Sequence, residues 1–123
     1  MISKCEYADI RHLASIASQS HVSVSKTQDT QWFKAEKDGR IVGCSALMKK
    51  KKPIGRVKGI FVLEEFRGMG IGLELTNVLI QDAIEKHCSA IDLFTWHPDF
   101  WLKLGYRVIG KNSHGAERMC KGI

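Results

Sequence analysis

The segment Arg67-Gly68-Met69-Gly70-Ile71-Gly72 constrains this chain more than any other. An apolar run, Ile60-Phe61-Val62-Leu63, leads into it. Beyond it, Leu75, Val78, Leu79 and Ala83 share one side of a helical wheel, and Glu74, Asn77, Gln81, Asp82 and Glu85 share the other. The pattern predicts a strand, a tight turn and an amphipathic helix from Ile71 that ends near His87-Cys88. The uninterrupted apolar run suits a central strand, Val57 to Leu63, buried on both faces. Without Cβ atoms, Gly68, Gly70 and Gly72 reach tight-turn dihedrals, and successive backbone N–H groups can aim at one anion. The helix start adds unpaired amides and a positive dipole end at the same place. The spacing G-x-G-x-G is not the G-x-G-x-x-G of dinucleotide folds, and the G-K-[ST] ending of a nucleotide triphosphate loop is absent. The turn therefore points to a phosphate ligand of another kind.

The rest of the chain alternates strands and helices, which predicts an α/β or α+β layer fold. Asp9 is placed to cap a short helix whose Ile10, Leu13, Ala14 and Ala17 share a face, before a polar stretch from Ser18 to Thr30. Trp32 to Glu36 and Ile41 to Met48 flank Lys37-Asp38-Gly39-Arg40 and read as an antiparallel hairpin. A charged turn, Lys49-Lys50-Lys51-Lys52-Pro53, follows. After the glycine turn and its helix come a strand from Ala90 to Trp96 and a short helix from Pro98 to Leu104, stopped by Gly105. Strands at Tyr106 to Ile109 and Glu117 to Lys121 complete the sheet. At 123 residues this is one domain, residues 1 to 123.

Charge and cysteine usage narrow the function classes. A net charge of +6 favours an anionic partner, which coenzyme A, nucleic acid and acidic protein all satisfy. No apolar run approaches the roughly 18 residues that cross a bilayer, and Met1 to Glu6 lacks the apolar centre of a signal peptide, so the expectation is a cytoplasmic protein with no membrane partner. Cys5, Cys44, Cys88 and Cys120 lie far apart with no ligand spacing, so we expect free thiols and no metal site. Cys44, within an apolar run, reads as a small core residue rather than a catalytic thiol.

The glycine turn resembles the coenzyme A loop of the GNAT superfamily of N-acetyltransferases, which reads Q/R-x-x-G-x-G/A after a central strand. Arg67-x-x-Gly70-x-Gly72 matches it, and Phe61 to Gly72 looks like the common family form apart from Glu64, where many members have Pro. About thirty residues on, Phe100-Trp101-Leu102-Lys103-Leu104-Gly105-Tyr106 resembles the family's F-Y-x-K-L-G-F element, so the resemblance runs from about Trp32 to the C-terminus. It implies a GNAT-like mixed, mostly antiparallel central sheet flanked by helices, with acetyl-CoA as cofactor. It further implies that Phe61 and Val62 offer backbone groups to the pantetheine arm, where the central strand splays from Ala90 to Trp96. Arg67, Gly68, Met69, Gly70, Ile71 and Gly72 would hold the pyrophosphate, and Trp101 would pack beside the cofactor. The reaction implied is direct acetyl transfer to an amine acceptor, a small molecule or a protein, with no covalent enzyme intermediate.

Two departures bear on the chemistry. Trp101 stands where many relatives place the tyrosine that protonates the leaving sulfur, and an indole is no acid at neutral pH. Tyr106 replaces the family's Phe and reads as a core aromatic whose hydroxyl reaches the surface. His97, at the end of a strand, carries an imidazole that can take or give a proton and is the catalytic candidate, set against an exposed loop histidine beside Pro98. Glu64 and Glu65, just before the glycine turn, are further titratable candidates but read as solvated residues of a strand exit; Asp92, inside a strand, could face the groove but reads as a sheet-edge or solvent-facing residue. The segment Ala8 to Thr30 is short for the one or two helices that wall the acceptor site in the family, which suggests a more open groove for a large acceptor such as a protein terminus, a lysine side chain or modified nucleic acid. Two alternatives stand beside the enzyme reading. One is an acyltransferase acting on nucleic acid through Lys49 to Lys52, Arg56 and Lys58; the other is a non-catalytic basic module that binds coenzyme A.

Overall fold

A computed structural model describes residues 1–50 and 53–123. Seven strands form one sheet in the order β1-β2-β3-β4-β5-β7-β6. They are β1 Ile2–Cys5, β2 Thr30–Lys37, β3 Arg40–Lys49, β4 Ile54–Val62, β5 Ala90–Thr95, β6 Arg107–Lys111 and β7 Glu117–Gly122. All neighbours are antiparallel except β4 and β5, so the expected mixed, mostly antiparallel sheet is present. Helices α1 (Tyr7–Ile10) and α2 (Ala14–Ser18), joined by a 3-10 turn at Arg11–Leu13, cover one face. Helix α3 (Ile71–Glu85) covers the other, and α4 (Pro98–Leu102) follows β5.

Local chemistry accounts for most of these elements. Asp38 and Gly39 both take positive φ, 53° and 75°, which closes β2 onto β3 through a two-residue hairpin loop whose twist matches the strands. Asp9 works from inside the first turn: its carboxylate accepts from the Glu6 N–H at 2.9 Å, and Glu6 is the cap residue. Ile10, Leu13 and Ala17 are buried as their spacing predicts, packed with Trp32, Cys44, Ala46 and Phe61. Leu75, Leu79 and Ala83 of α3 pack from the opposite face.

One strand was not anticipated, and three expectations are corrected. Strand β1 is an edge strand paired with β2 from Ile2↔Ala35 to Cys5↔Trp32; its mixed sequence carries no alternation to announce it, and only β2 supplies its partners. Strand β4 is not buried on both faces, since only Gly55, Val57 and Phe61 are fully buried. On α3, Thr76 and Asp82 join the buried side: Thr76 returns its hydroxyl to Leu73 O at 2.8 Å, and Asp82 is paired with Lys86 at 2.7 Å. Tyr106 is a core aromatic, but its hydroxyl is buried without a partner, and burial raises its pKa.

Candidate active site

The site originates in a fault in the sheet. Strands β4 and β5 pair in parallel only at Ile54↔Ala90, Gly55↔Ile91 and Arg56↔Asp92. Past that point β5 stays with β7 as far as Thr95↔Glu117, while β4 stays with β3 and leaves β5. The bend has a local cause. Between Ala46↔Lys58 and Cys44↔Phe61, β4 holds one residue more than β3, a β-bulge of the kind that turns a strand. Gly59 occupies it with φ +56°, and a Cβ there would lie 2.7 Å from the Trp32 ring and 3.2 Å from Ser23 O. Only glycine fits.

Asp92 fastens the point where the strands part. It is 1% exposed and accepts a bidentate pair from Arg56, Nε at 3.1 Å and Nη2 at 3.0 Å, and another bond from Arg118 at 3.1 Å. Lys50 adds a cation at 3.9 Å. The expectation of a sheet-edge or solvent-facing Asp92 is therefore corrected. Burial works against its ionisation, and the Arg56 and Arg118 hydrogen bonds and charges overcome it, so its pKa is lowered.

The strands open onto a groove of about 360 Å³. Arg56, Val57, Lys58, Gly59 and Ile60 form one wall, and Leu93, Phe94, Thr95, Trp96 and His97 the other; His21, Val22 and Ser23, Met48, Trp101, and Asn112 and Ala116 complete it. His97 precedes α4; its amide donates to Thr95 Oγ1 at 2.9 Å and its Nε2 lies 3.2 Å from Ser20 O. Trp101 is 4% exposed and lines the groove from α4, packed edge-on between Phe100 and Tyr106. Glu64 and Glu65 stay outside the groove in an exposed 3-10 turn, where Glu65 pairs with Arg40 at 3.5 Å. Cys44 is fully buried, and burial pushes its thiol up to about 12, which excludes a ready thiolate. Lys51 and Lys52 of the lysine run lie outside the described residues.

At the C-terminal end of β4, the chain makes the glycine turn. Gly68 and Gly70 have φ of +80° and +82°, and no atom lies within 4 Å of a Cβ built at either. Backbone conformation, not crowding, demands glycine at both. Gly72 differs: its φ is ordinary, and a Cβ would only touch the Phe100 ring at 3.7 Å. Gly70 caps α3 in the left-handed region. Among the described residues, the amides from Gly68 to Leu73, Met69 and Ile71 included, donate to no group. Arg67 does not lean over this nest. Its Nε donates to Val62 O at 2.9 Å and its guanidinium sits 5.6 Å from the centre of the Phe61 ring, which pins the turn to the strand exit. Gly43 stands opposite Val62 while the Leu63 amide donates to Val42 O at 2.8 Å. In that antiparallel arrangement, Val62 turns its own N–H and C=O toward the open edge of β4.

Sequence reading missed His21, Ser23, Lys58 and Asn112 as groove residues. None carries a local signature, and they lie on separate segments that only the sheet order brings together.

The model of the acetyltransferase (GNAT) family matches residues 3–106. The chain belongs to the GNAT family. An uncharacterized N-acetyltransferase of Chlorobaculum tepidum is 29% identical over 80 residues, covering 65% of this chain and 52% of the relative. The chain thus spans about half the length of the curated relatives it matches, 52% and 53%. Among solved structures, a Mycobacterium tuberculosis protein in complex with CoA superposes with a TM-score of 0.83 at 16% identity, covering 100% of this chain and 99% of that one. An aminoglycoside 6'-N-acetyltransferase complexed with coenzyme A gives 0.84 at 16% identity, covering 99% and 96%. At such identities these likenesses establish the fold. Among the described residues, no helix is long and apolar enough to cross a membrane and no cluster of three metal-binding side chains occurs.

Proposed function

We propose that this GNAT chain is an acetyl-CoA dependent N-acetyltransferase that transfers an acetyl group directly to an amine. The observation that carries the reading is the continuity of two features. A nest of undonated amides from Gly68 to Leu73 begins where β4, splayed from β5, presents the Val62 N–H along its open edge. An anionic ligand with an extended amide-bearing arm fits both, its pyrophosphate on the turn and its arm added beside β4 as an extra strand. Acetyl-CoA has that chemistry and supplies, when bound, the acyl group as a thioester.

The chain's own residues position and deprotonate the acceptor. His97 contributes the proton transfer: with its Nε2–H donated to Ser20 O, Nδ1 is left as the acceptor for the proton that leaves the amine nitrogen as the N–C bond forms. Protonated His97 is then a donor lining the same groove for the sulfur released as the C–S bond breaks. Trp101 excludes water and holds α4 against the core; as an indole it moves no proton. Replacing His97 with Gln is expected to lower kcat about 100-fold while coenzyme A affinity stays within about twofold, measured by thiol release and by calorimetry. An unchanged kcat would remove His97 from the proton path.

A second reading, a coenzyme A-binding module without turnover, draws on Trp101 at the tyrosine position. Thiol release from acetyl-CoA with any amine excludes it. Thermal stabilisation by acetyl-CoA with no thiol release across amines and peptides favours it.

A further inference from the structure

The groove between β4 and β5 carries charge of one sign. Among the described residues its lining includes Arg56, Lys58, His21 and His97 and no Asp or Glu. Arg56 is committed to Asp92, in a cluster that sets Arg56, Arg118 and Lys50 around a single carboxylate. Lys58, two residues along the same face of β4, makes no ion pair among the described residues. Partial burial and then the neighbouring Arg56 charge hold its ammonium below the usual lysine range, the response of a cation in a positive field that lacks its counter-ion. Opposite, Phe94 of β5 and Trp96 just beyond it are 39% and 48% exposed and give the groove an apolar surface.

We propose that the acceptor is a small amine that also carries a carboxylate, which Lys58 binds while the Phe94 and Trp96 side of the groove takes the apolar remainder. The proposal rests on the N-acetyltransferase reading and deepens it. One unpaired ammonium matches one negative charge, and a groove with no acidic wall repels polycationic amines. The volume of about 360 Å³ lies near the low end of the roughly 300–1,000 Å³ of small-molecule sites, so a small acceptor is favoured over a folded protein surface.

The test needs binding as well as turnover. With coenzyme A bound, calorimetric titration of the wild-type protein with N-acetyl-phenylalanine and with its amide is expected to show about tenfold tighter binding of the carboxylate, the worth of one charge-assisted contact. Lys58→Gln should bring that ratio close to one, and Lys58→Arg should keep it. Equal binding of acid and amide to the wild type, or an unchanged ratio in Lys58→Gln, overturns the proposal. In parallel, thiol release is followed with free amino acids, their amides, a polyamine and short peptides amidated at the C-terminus and free of acidic side chains. Equal or better turnover of the amides, the polyamine or the peptides overturns the proposal while upholding the transferase. No release with any amine defeats the transferase reading, and the titration still decides whether Lys58 recognises a carboxylate.

Discussion

The glycine turn and the groove beside it are made of different material. From Gly68 to Leu73 the chain offers backbone amides, and side chains matter there chiefly by their absence at Gly68 and Gly70. The groove offers side chains from residues 21–23, 48, 56–58, 60, 93–97, 101, 112 and 116. A backbone site is written in consecutive residues because its geometry is local. A side-chain site exists only once the sheet has set its strands in order. The turn should therefore respond to local dihedral changes and little else, whereas the groove should respond to changes wherever its frame is fastened.

The frame carries the largest expected effect. Asp92→Asn leaves Arg56 and Arg118 facing each other without a counter-charge, and should cost about 3 kcal/mol in chemical denaturation, at the low end for breaking a buried pair because the partner cations are part exposed. The pH dependence has a defined sign. Because the folded-state pKa of Asp92 is lowered from 3.8, its stabilisation is in force above about pH 4 and fades as pH falls through the lowered value. Wild type and Asp92→Asn should thus converge in stability on acidification. If Asp92→Asn loses no stability at neutral pH, the groove is not fastened at that point.

Gly59→Ala comes next. A methyl group 2.7 Å from the Trp32 ring, at φ +56°, should cost about 2–3 kcal/mol. It should also raise the acceptor KM, because Ser23 on the far side of the clash lines the groove. A normal KM in a destabilised protein would separate the bulge from the acceptor site. The smallest effect tests the turn itself. Gly70→Ala must hold φ +82°, at a cost of about 1–2 kcal/mol to the turn, and coenzyme A affinity should fall about tenfold by calorimetry. Gly72→Ala has ordinary φ and room for its Cβ, so affinity should stay within about twofold of wild type and helix propensity should favour it slightly. Equal losses at Gly70 and Gly72 would mean that the turn works through close approach of the ligand rather than through its dihedrals.

The legible part of this protein follows the same division. The hairpin at Asp38-Gly39, helix α3, the short helix after Pro98 and the anion nest were readable because each depends on neighbours a few residues away. The buried faces of α3 were read nearly in full, and failed at Thr76 and Asp82, polar residues that are buried because a partner one turn away satisfies them. Strand β1 was invisible, since an edge strand of mixed composition is defined by the backbone of β2.

What the sequence by itself determined is the strand, turn and helix around Arg67 to Gly72, and with the Phe100 to Tyr106 segment the family to which the chain belongs. The tertiary structure alone decided that Arg67 pins the turn to Val62 rather than reaching over the nest, that Asp92 is a buried clamp, and that, among the described residues, Lys58 stands unpaired in a groove whose lining holds no Asp or Glu. The physical reason is range. Dihedral preference and helical periodicity act over a few residues, whereas the field in the groove is a sum over side chains that only the folded sheet brings together.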